Sequence, residues 1–192
     1  SMQTELTSEN LNLEWKQVWG TPNVEAPLGI CADETGVYVV GEYFADEGNN
    51  VADVLVIKYD HDGNEVWSKV IDVGEKDHAH GVYVYNGDVY VCVSSRDYGR
   101  DDFDAVVLKI ASNGTILWED RFGGYNYDAV YECQFYSDHL YVIGRTESFG
   151  AGDSDFLILK YDPNGTLLWN ITWGGSDWDD GKRICVYKGY IY

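Results

Sequence analysis

Residues 162–181 read DPNGTLLWNITWGGSDWDDG, and two earlier segments repeat its order of a turn dipeptide ending in glycine, a tryptophan and an aspartate. Trp67 and Trp118 are the counterparts of Trp169, and Trp15 begins the series, with separations of 52, 51 and 51 residues. A fixed period of this length is the sequence signature of a repeat architecture. The chain is therefore predicted to contain a structural unit repeated about every 51 residues.

Each repeat divides into four short strands separated by turn signals. In the last full repeat the second strand reads HLYVIGRT from His139 and the third reads DFLILKYD from Asp155. Both are rich in β-branched and aromatic residues, which is typical of strands. Asn164-Gly165 follows, a dipeptide that accepts the positive φ angles of a two-residue hairpin turn. Four antiparallel strands per repeat predict an all-β fold, a β-propeller of four-stranded blades.

We expect a polar, disordered start resembling an expression tag over residues 1–10 and a single β-propeller domain over 11–192. The predicted parts are an outer strand at 11–20, complete blades at about 27–73, 79–123 and 129–173, and a partial blade at 181–192. These parts leave three arrangements open: ring closure by the chain's own ends, a fragment of a longer propeller, or two chains closing one ring. An open arc would expose apolar blade faces, so self-association through the incomplete blades is one expected interaction.

The charge of the chain excludes several classes of partner. Among its 192 residues, 13 Lys and Arg stand against 33 Asp and Glu, which gives a formal net charge of -20. Such a chain repels phosphate backbones, so nucleic acid is not expected as a partner. No apolar run approaches the ~20 residues that span a bilayer, so membrane insertion is not expected either. Asn-x-Thr patterns at Asn113, Asn164 and Asn170 favour an extracellular or cell-surface location.

Antiparallel connectivity places the loops after the second and fourth strands on one side of the disc, the acidic loop face, and short hairpins on the other. Carboxylates recur on the acidic loop face at two fixed positions of the repeat. Their oxygens are the ligands that Ca²⁺ takes, although an aspartate at a strand start more often accepts hydrogen bonds from its own turn. The ligand or cation candidates are an inner set of Glu25, Asp77, Asp128 and Asp179 and an outer set of Asp53, Asp104 and Asp155.

A second metal candidate is the run DWDDG, with Asp177, Asp179 and Asp180, which lacks the complete spacing of a calcium loop. Ca²⁺ is the cofactor that these patterns suggest, and no nucleophile motif such as GxSxG is present. The predicted function is a non-enzymatic binding or scaffold module with a protein or glycan partner on the acidic loop face. The alternative is a carbohydrate-binding or carbohydrate-active protein that uses acidic and aromatic loop residues.

Two segments, 112–130 and 162–181, together with the DFLILKYD strand, resemble the bacterial and archaeal β-propeller repeats of SBBP type. The Gly-x-x-x-Trp pattern, as from Gly165 to Trp169, is also similar to the hairpins of quinoprotein propellers. The resemblance covers residues 15–192 and implies a propeller of a surface or secreted protein without a defined activity. No catalytic residue is carried over, because the cofactor-binding residues of the quinoprotein enzymes have no matching motif here.

Overall fold

The protein is described by a computed structural model over residues 14–45 and 51–192. The strands of these residues form three four-stranded antiparallel sheets and a short two-stranded sheet. In each four-stranded sheet, strands that are consecutive in the chain are hydrogen-bonded neighbours, so one sheet corresponds to one repeat. The predicted all-β propeller of four-stranded blades is confirmed.

The strands follow the repeat closely. Blade 1 consists of β1 (Val24–Asp33), β2 (Gly36–Phe44), β3 (Asp53–Tyr59) and β4 (Glu65–Ile71). Blade 2 consists of β5 (Lys76–Tyr85), β6 (Asp88–Arg96), β7 (Asp104–Ile110) and β8 (Ile116–Phe122). Blade 3 consists of β9 (Asp128–Tyr136), β10 (His139–Thr146), β11 (Asp155–Tyr161) and β12 (Leu167–Trp173). The short sheet contains β13 (Val186–Tyr187) and β14 (Tyr190–Ile191), within the predicted partial blade.

The segment before blade 1 differs from the prediction. Residues 1–10, and residues 11–13 of the expected outer strand, lie outside the described residues, and residues 14–20 form no strand. This segment is held by a side chain instead of a ladder. The Trp15 Nε1 donates a hydrogen bond to the His61 carbonyl at 3.0 Å, and the indole packs on Tyr59 with 5.7 Å between ring centroids.

The same tryptophan contact joins the complete blades. Trp67 Nε1 donates to the Ser112 carbonyl at 2.9 Å, and Trp118 Nε1 donates to the Pro163 carbonyl at 3.4 Å, so each indole reaches the hairpin turn of the next blade. Gly165 in that turn has φ +88°, and a Cβ there would lie 2.6 Å from the Trp118 ring. Glycine is therefore required both by the backbone conformation and by the indole that covers it.

The hydrophobic core lies between neighbouring blades. One cluster of buried side chains, including Val54 and Val91, fills the space between blades 1 and 2, and a second, including Cys92 and Leu157, fills that between blades 2 and 3. The first strands approach each other most closely, since a Cβ at Gly81 would meet the Tyr131 carbonyl oxygen at 2.4 Å. The described residues include no helix that is able to cross a bilayer.

Replacing Trp118 by Ala tests the contact between blades 2 and 3. The indole is half-buried and packs against Tyr161 with ring centroids 6.0 Å apart. We expect the free energy of unfolding to fall by about 2–4 kcal/mol in urea titrations, somewhat less than for a fully buried tryptophan. Trp173→Ala is the matched control, because Trp173 is 67% exposed, and its loss should cost under about 1 kcal/mol. Equal losses for the two variants would contradict this assignment.

Candidate functional site

The inner set of carboxylates shares one hydrogen-bond pattern. Each side chain accepts a bond from the backbone amide four residues before it, which closes the loop after a fourth strand or its equivalent. A carboxylate that accepts such amide bonds stabilises a turn. The amide–carboxylate pairs are Thr21–Glu25 at 3.0 Å, Val73–Asp77 at 2.8 Å, Gly124–Asp128 at 2.8 Å and Gly175–Asp179 at 2.7 Å.

Backbone hydrogen bonds between blades place the inner set beside the outer set. The amide of an inner aspartate donates to the carbonyl just before an outer aspartate of the preceding blade. These bonds are Asp77 N to Ala52 O at 2.7 Å, Asp128 N to Phe103 O at 2.7 Å and Asp179 N to Ser154 O at 2.8 Å. The result is three acidic joints: joint 1 (Asp53 and Asp77), joint 2 (Asp104 and Asp128) and joint 3 (Asp155 and Asp179).

Joint 2 is neutralised by arginines and hydroxyl groups. Asp104 Oδ2 lies 3.4 Å from Arg100 Nη1 and 3.6 Å from Arg121 Nη1. Burial raises the pKa of Asp104, and the two arginines oppose this rise. The buried Asp128 accepts a further bond from the Ser148 hydroxyl at 2.6 Å. Two arginines therefore offset part of the charge of this joint, although the buried Asp104 Oδ1 accepts no hydrogen bond from the described residues.

Joint 3 is satisfied mainly by backbone amides. Asp155 Oδ2 accepts bonds from Ala151 N at 2.9 Å and Gly152 N at 3.1 Å. Nearby, Asp180 forms an ion pair with Lys182 at 2.6 Å. Among the described residues, one group of three acidic, His or Cys side chains is close enough to share an ion, and it lies elsewhere. The metal candidates Asp177, Asp179 and Asp180 are not brought into such a group.

Joint 1 contains a third carboxylate that the sequence analysis missed. Single oxygens of Asp53, Asp72 and Asp77 all lie within 4.8 Å of one another. Asp72 lies five residues after its repeat tryptophan, and alignment of the repeats on that tryptophan was the signal that would have revealed it. The other three repeats carry glycine at this position: Gly20, Gly123 and Gly174.

Burial and neighbouring carboxylates raise the pKa values of Asp53 and Asp77 in joint 1. Burial raises the pKa of Asp77 to about 6; the Ser95 hydroxyl and the amides of Val73 and Gly74 oppose this, and Asp53 adds to it. Burial also raises the pKa of Asp53, with a contribution from the charge of Asp72. Tyr98 is affected too, because the Asp72 charge raises the pKa of its phenol. Negative charge is thus concentrated here beyond what the surrounding groups balance.

A separate cleft opens on the acidic loop face between blades 2 and 3. We call it the loop cleft; it has a volume of about 450 Å³ and is lined by Asp101, Asp102, Tyr125, Asn126, Tyr127 and Glu147. Tyr125 is 97% exposed, so its ring is offered almost entirely to solvent. Exposed aromatic residues beside polar groups are common in binding sites, since one end of the side chain is apolar and the other forms hydrogen bonds. The sequence analysis predicted that acidic and aromatic loop residues could bind a ligand, but it did not predict that these residues form a cleft.

Two arginines hold the walls of the loop cleft in place. The Arg100 guanidinium donates to Asp102 Oδ1 at 2.8 Å and keeps the pKa of Asp102 below its usual range. Arg145 lies between two rings, 4.3 Å from the centroid of Tyr127 and 4.2 Å from that of Trp178. Such cation–π contacts fix the planes of the rings they touch. The cleft is therefore preorganised by side chains of its own loops.

A second cavity, the axial cleft, lies among the first strands and has a volume of about 330 Å³. His80 lines it, 2.9 Å from the Ser94 hydroxyl and edge-on to the Tyr131 ring. Burial lowers the pKa of His80 to about 4, and the charges of His78 and Lys182 lower it further while Glu42 opposes them. His80 is therefore neutral at pH 7 and unsuited to hold a charge for a ligand.

Comparisons with known proteins identify relatives in structure alone. No protein-family model and no curated protein matches the sequence. A Bacteroides caccae protein of unknown function matches 79% of this chain and 47% of its own, with 15% identity and a TM-score of 0.45. A subtype N10 neuraminidase-like protein of A/little yellow-shouldered bat matches 80% of this chain and 45% of its own, with 15% identity and a TM-score of 0.48. An α-L-arabinofuranosidase from Clostridium thermocellum matches 77% of this chain and 52% of its own, with 14% identity and a TM-score of 0.43. The chain spans about half the length of these structures, and similarity at this level assigns it no activity.

The depressed pKa of His80 predicts a loss of stability in acid. Between its unfolded value of 6.5 and its folded value of about 4, the unfolded chain binds the proton and the folded chain does not. This contribution is complete above pH 6.5 and is lost as the pH falls toward 4, by up to about 3 kcal/mol. We expect His80→Gln to flatten the urea-unfolding profile in that window, whereas the exposed His61→Gln should leave it unchanged. Parallel profiles for wild type and His80→Gln would contradict the prediction.

Proposed function

We propose that the chain is a non-enzymatic propeller module that binds its ligand on the acidic loop face, at the loop cleft. The observation that carries the proposal is the 97% exposed ring of Tyr125 beside Asp101, Asp102 and Glu147. An aromatic ring left in water within a concave, polar surface gains apolar contact when a ligand covers it. The repeated carboxylates of joints 2 and 3, in contrast, are occupied by amides, hydroxyls and arginines.

The charge state of the cleft supports binding rather than proton transfer. Glycoside hydrolysis requires a carboxylic acid with a raised pKa as the proton donor. Arg100 instead keeps the pKa of Asp102 low, and Arg145 Nη1 lies 3.2 Å from Glu147 Oε1. These carboxylates are suited to accept hydrogen bonds from a bound molecule.

A carbohydrate is the ligand class that this chemistry fits best. The apolar face of a sugar ring would stack on Tyr125, and its hydroxyl groups would donate to the carboxylates and to Asn126. The cleft volume of about 450 Å³ is within the range of small-ligand sites. The resemblance to SBBP-type repeats and the extracellular or cell-surface location are predictions from the sequence. Both agree with a role in carbohydrate binding.

A glycan array combined with a panel of glycosidase substrates tests this function. We expect binding without turnover, and Tyr125→Ala should weaken binding about tenfold, equivalent to 1.4 kcal/mol of lost apolar contact. Tyr190→Ala is the matched control, because Tyr190 is 68% exposed but lies on β14, away from the cleft. The carbohydrate assignment fails if no glycan binds or if both variants bind equally. Turnover abolished by a single carboxylate substitution would overturn the non-enzymatic role.

A further inference from the structure

Acidic joint 1 carries one negative charge more than the joints at the other blade boundaries. Asp53 and Asp72 lie on blade 1, at the start of β3 and just after β4, and Asp77 lies on β5 of blade 2. Single oxygens of all three lie within 4.8 Å of each other. Unit charges at such distances repel by about 1 kcal/mol even in water and by more where solvent is excluded.

The buried member of the group has an oxygen without a partner. Asp77 is 0% exposed, and its Oδ2 accepts the amide bond from Val73 at 2.8 Å. Its Oδ1 has no hydrogen-bond partner within 3.5 Å among the residues that the structure describes, although the Ser95 hydroxyl is close enough to the carboxylate to lower its pKa. A buried carboxylate oxygen left in this state costs free energy, and such groups are found where a bound water or ion completes the structure.

The other joints show what joint 1 lacks. The joint 2 aspartate Asp104 also has a buried Oδ1 without a partner, but its Oδ2 is paired with Arg100 and Arg121. The joint 3 aspartate Asp155 accepts two loop amides. Both joints have glycine where joint 1 has Asp72. At Gly174 a Cβ would lie 2.2 Å from Asp155 Oδ1 and 2.7 Å from Asp179 Oδ2, so that position directly faces both carboxylates. An aspartate there adds a third oxygen donor to the same point of the repeat.

No cation of the chain balances joint 1. Among residues 14–45 and 51–192, no Lys or Arg forms an ion pair with Asp53, Asp72 or Asp77. The remaining sequence, 1–13 and 46–50, contains neither residue type. The Arg121 guanidinium donates to the Val73 carbonyl at 3.1 Å, and its other terminal nitrogen lies 3.3 Å from Asp97 and 3.6 Å from Asp104.

We propose that joint 1 is a calcium site in which Asp53, Asp72 and Asp77 supply one oxygen each from two blades. Three carboxylate oxygens that all lie within 4.8 Å of one another are close enough to share one ion. Ca²⁺ takes oxygen ligands in flexible geometry, whereas Mg²⁺ requires a near-ideal octahedron and keeps several of its waters, so an irregular set of three carboxylates from two blades favours Ca²⁺. Asp72 is exposed, so water can complete the coordination sphere.

The ion would act as a cross-link between blades 1 and 2. Two ligands come from blade 1 and one from blade 2, so binding requires the folded arrangement of both. An ion that binds only the folded state stabilises it in proportion to RT ln(1 + [L]/Kd). The site is independent of the loop cleft, and either assignment stands without the other.

Thermal unfolding in CaCl₂, MgCl₂ and NaCl at equal ionic strength tests the site, after treatment with a chelator. We expect Ca²⁺ at about a hundredfold above Kd to raise Tm by roughly 5 °C or more over NaCl. Mg²⁺ should give a smaller rise, because it demands near-ideal octahedral geometry and loses its bound waters reluctantly. General screening acts alike on all exposed charges, and the NaCl arm removes it.

Two substitutions separate this site from the general acidity of the chain. Asp72→Asn keeps the shape of the side chain and removes its charge, and we expect it to lose the Ca²⁺-specific rise and at least tenfold in affinity by calorimetry. Asp72→Gly reproduces the residue of the other repeats and gives a second folded variant. Asp62→Asn is the matched control, because it makes the same change in the hairpin of blade 1 on the opposite face.

Three results would overturn the proposal: equal Tm in CaCl₂ and NaCl for the wild type, an equal rise in MgCl₂, or an undiminished Ca²⁺ response in both Asp72 variants. Tyr125→Ala should retain the full Ca²⁺ response, so failure at the loop cleft and failure at joint 1 are distinguished. Circular dichroism confirms that each variant is folded before titration.

Discussion

The packing of a tryptophan side chain on the hairpin turn of the next blade is the contact on which the rest of the structure depends. The turn glycine turns its backbone toward the neighbouring blade, and the Trp Nε1 bonds to a carbonyl of the same turn. A lysine of the third strand reaches that carbonyl as well, as Lys58 does to Ser112 at 3.2 Å and Lys109 to Pro163 at 3.2 Å. These contacts align neighbouring blades on the side of the disc that carries the short hairpins, independently of the loops on the acidic loop face.

The acidic loop face is held by a different device that depends on this alignment. There the amide of each inner aspartate bonds to the carbonyl just before the third strand of the preceding blade, and its side chain closes its own loop. Both contacts recur at the boundaries between blades 1 and 2 and between blades 2 and 3, so we assign them to the fold and not to a ligand. What varies is the set of residues added to the frame: Asp72 in one loop, and Tyr125 with its neighbouring carboxylates in another.

Most of the fold could be predicted because its determinants are local. A tryptophan, an Asn-Gly turn and a β-branched strand each fall within one repeat, and their period reveals them. The segment at 14–20 was mispredicted as a strand because Trp15 has the right position without a ladder partner. The candidate sites were harder, because Asp53 and Asp77 meet only across a blade boundary. Asp72 was missed because the search was for residues that recur in every repeat, and Asp72 departs from the glycine of the other three.

The contact between the tryptophan and the hairpin turn always runs from one blade to the blade that follows it in the chain. The tryptophan of each repeat contacts the hairpin turn of the next repeat, and its own hairpin turn is contacted by the tryptophan of the repeat before it. Both the tryptophan and the turn lie within one stretch of about 51 residues. Copying a single unit within a gene therefore copies both halves of the connection, and the new unit fits between its neighbours without compensating changes. A head-to-tail interface of this kind permits growth by tandem duplication, after which individual loops are free to diverge.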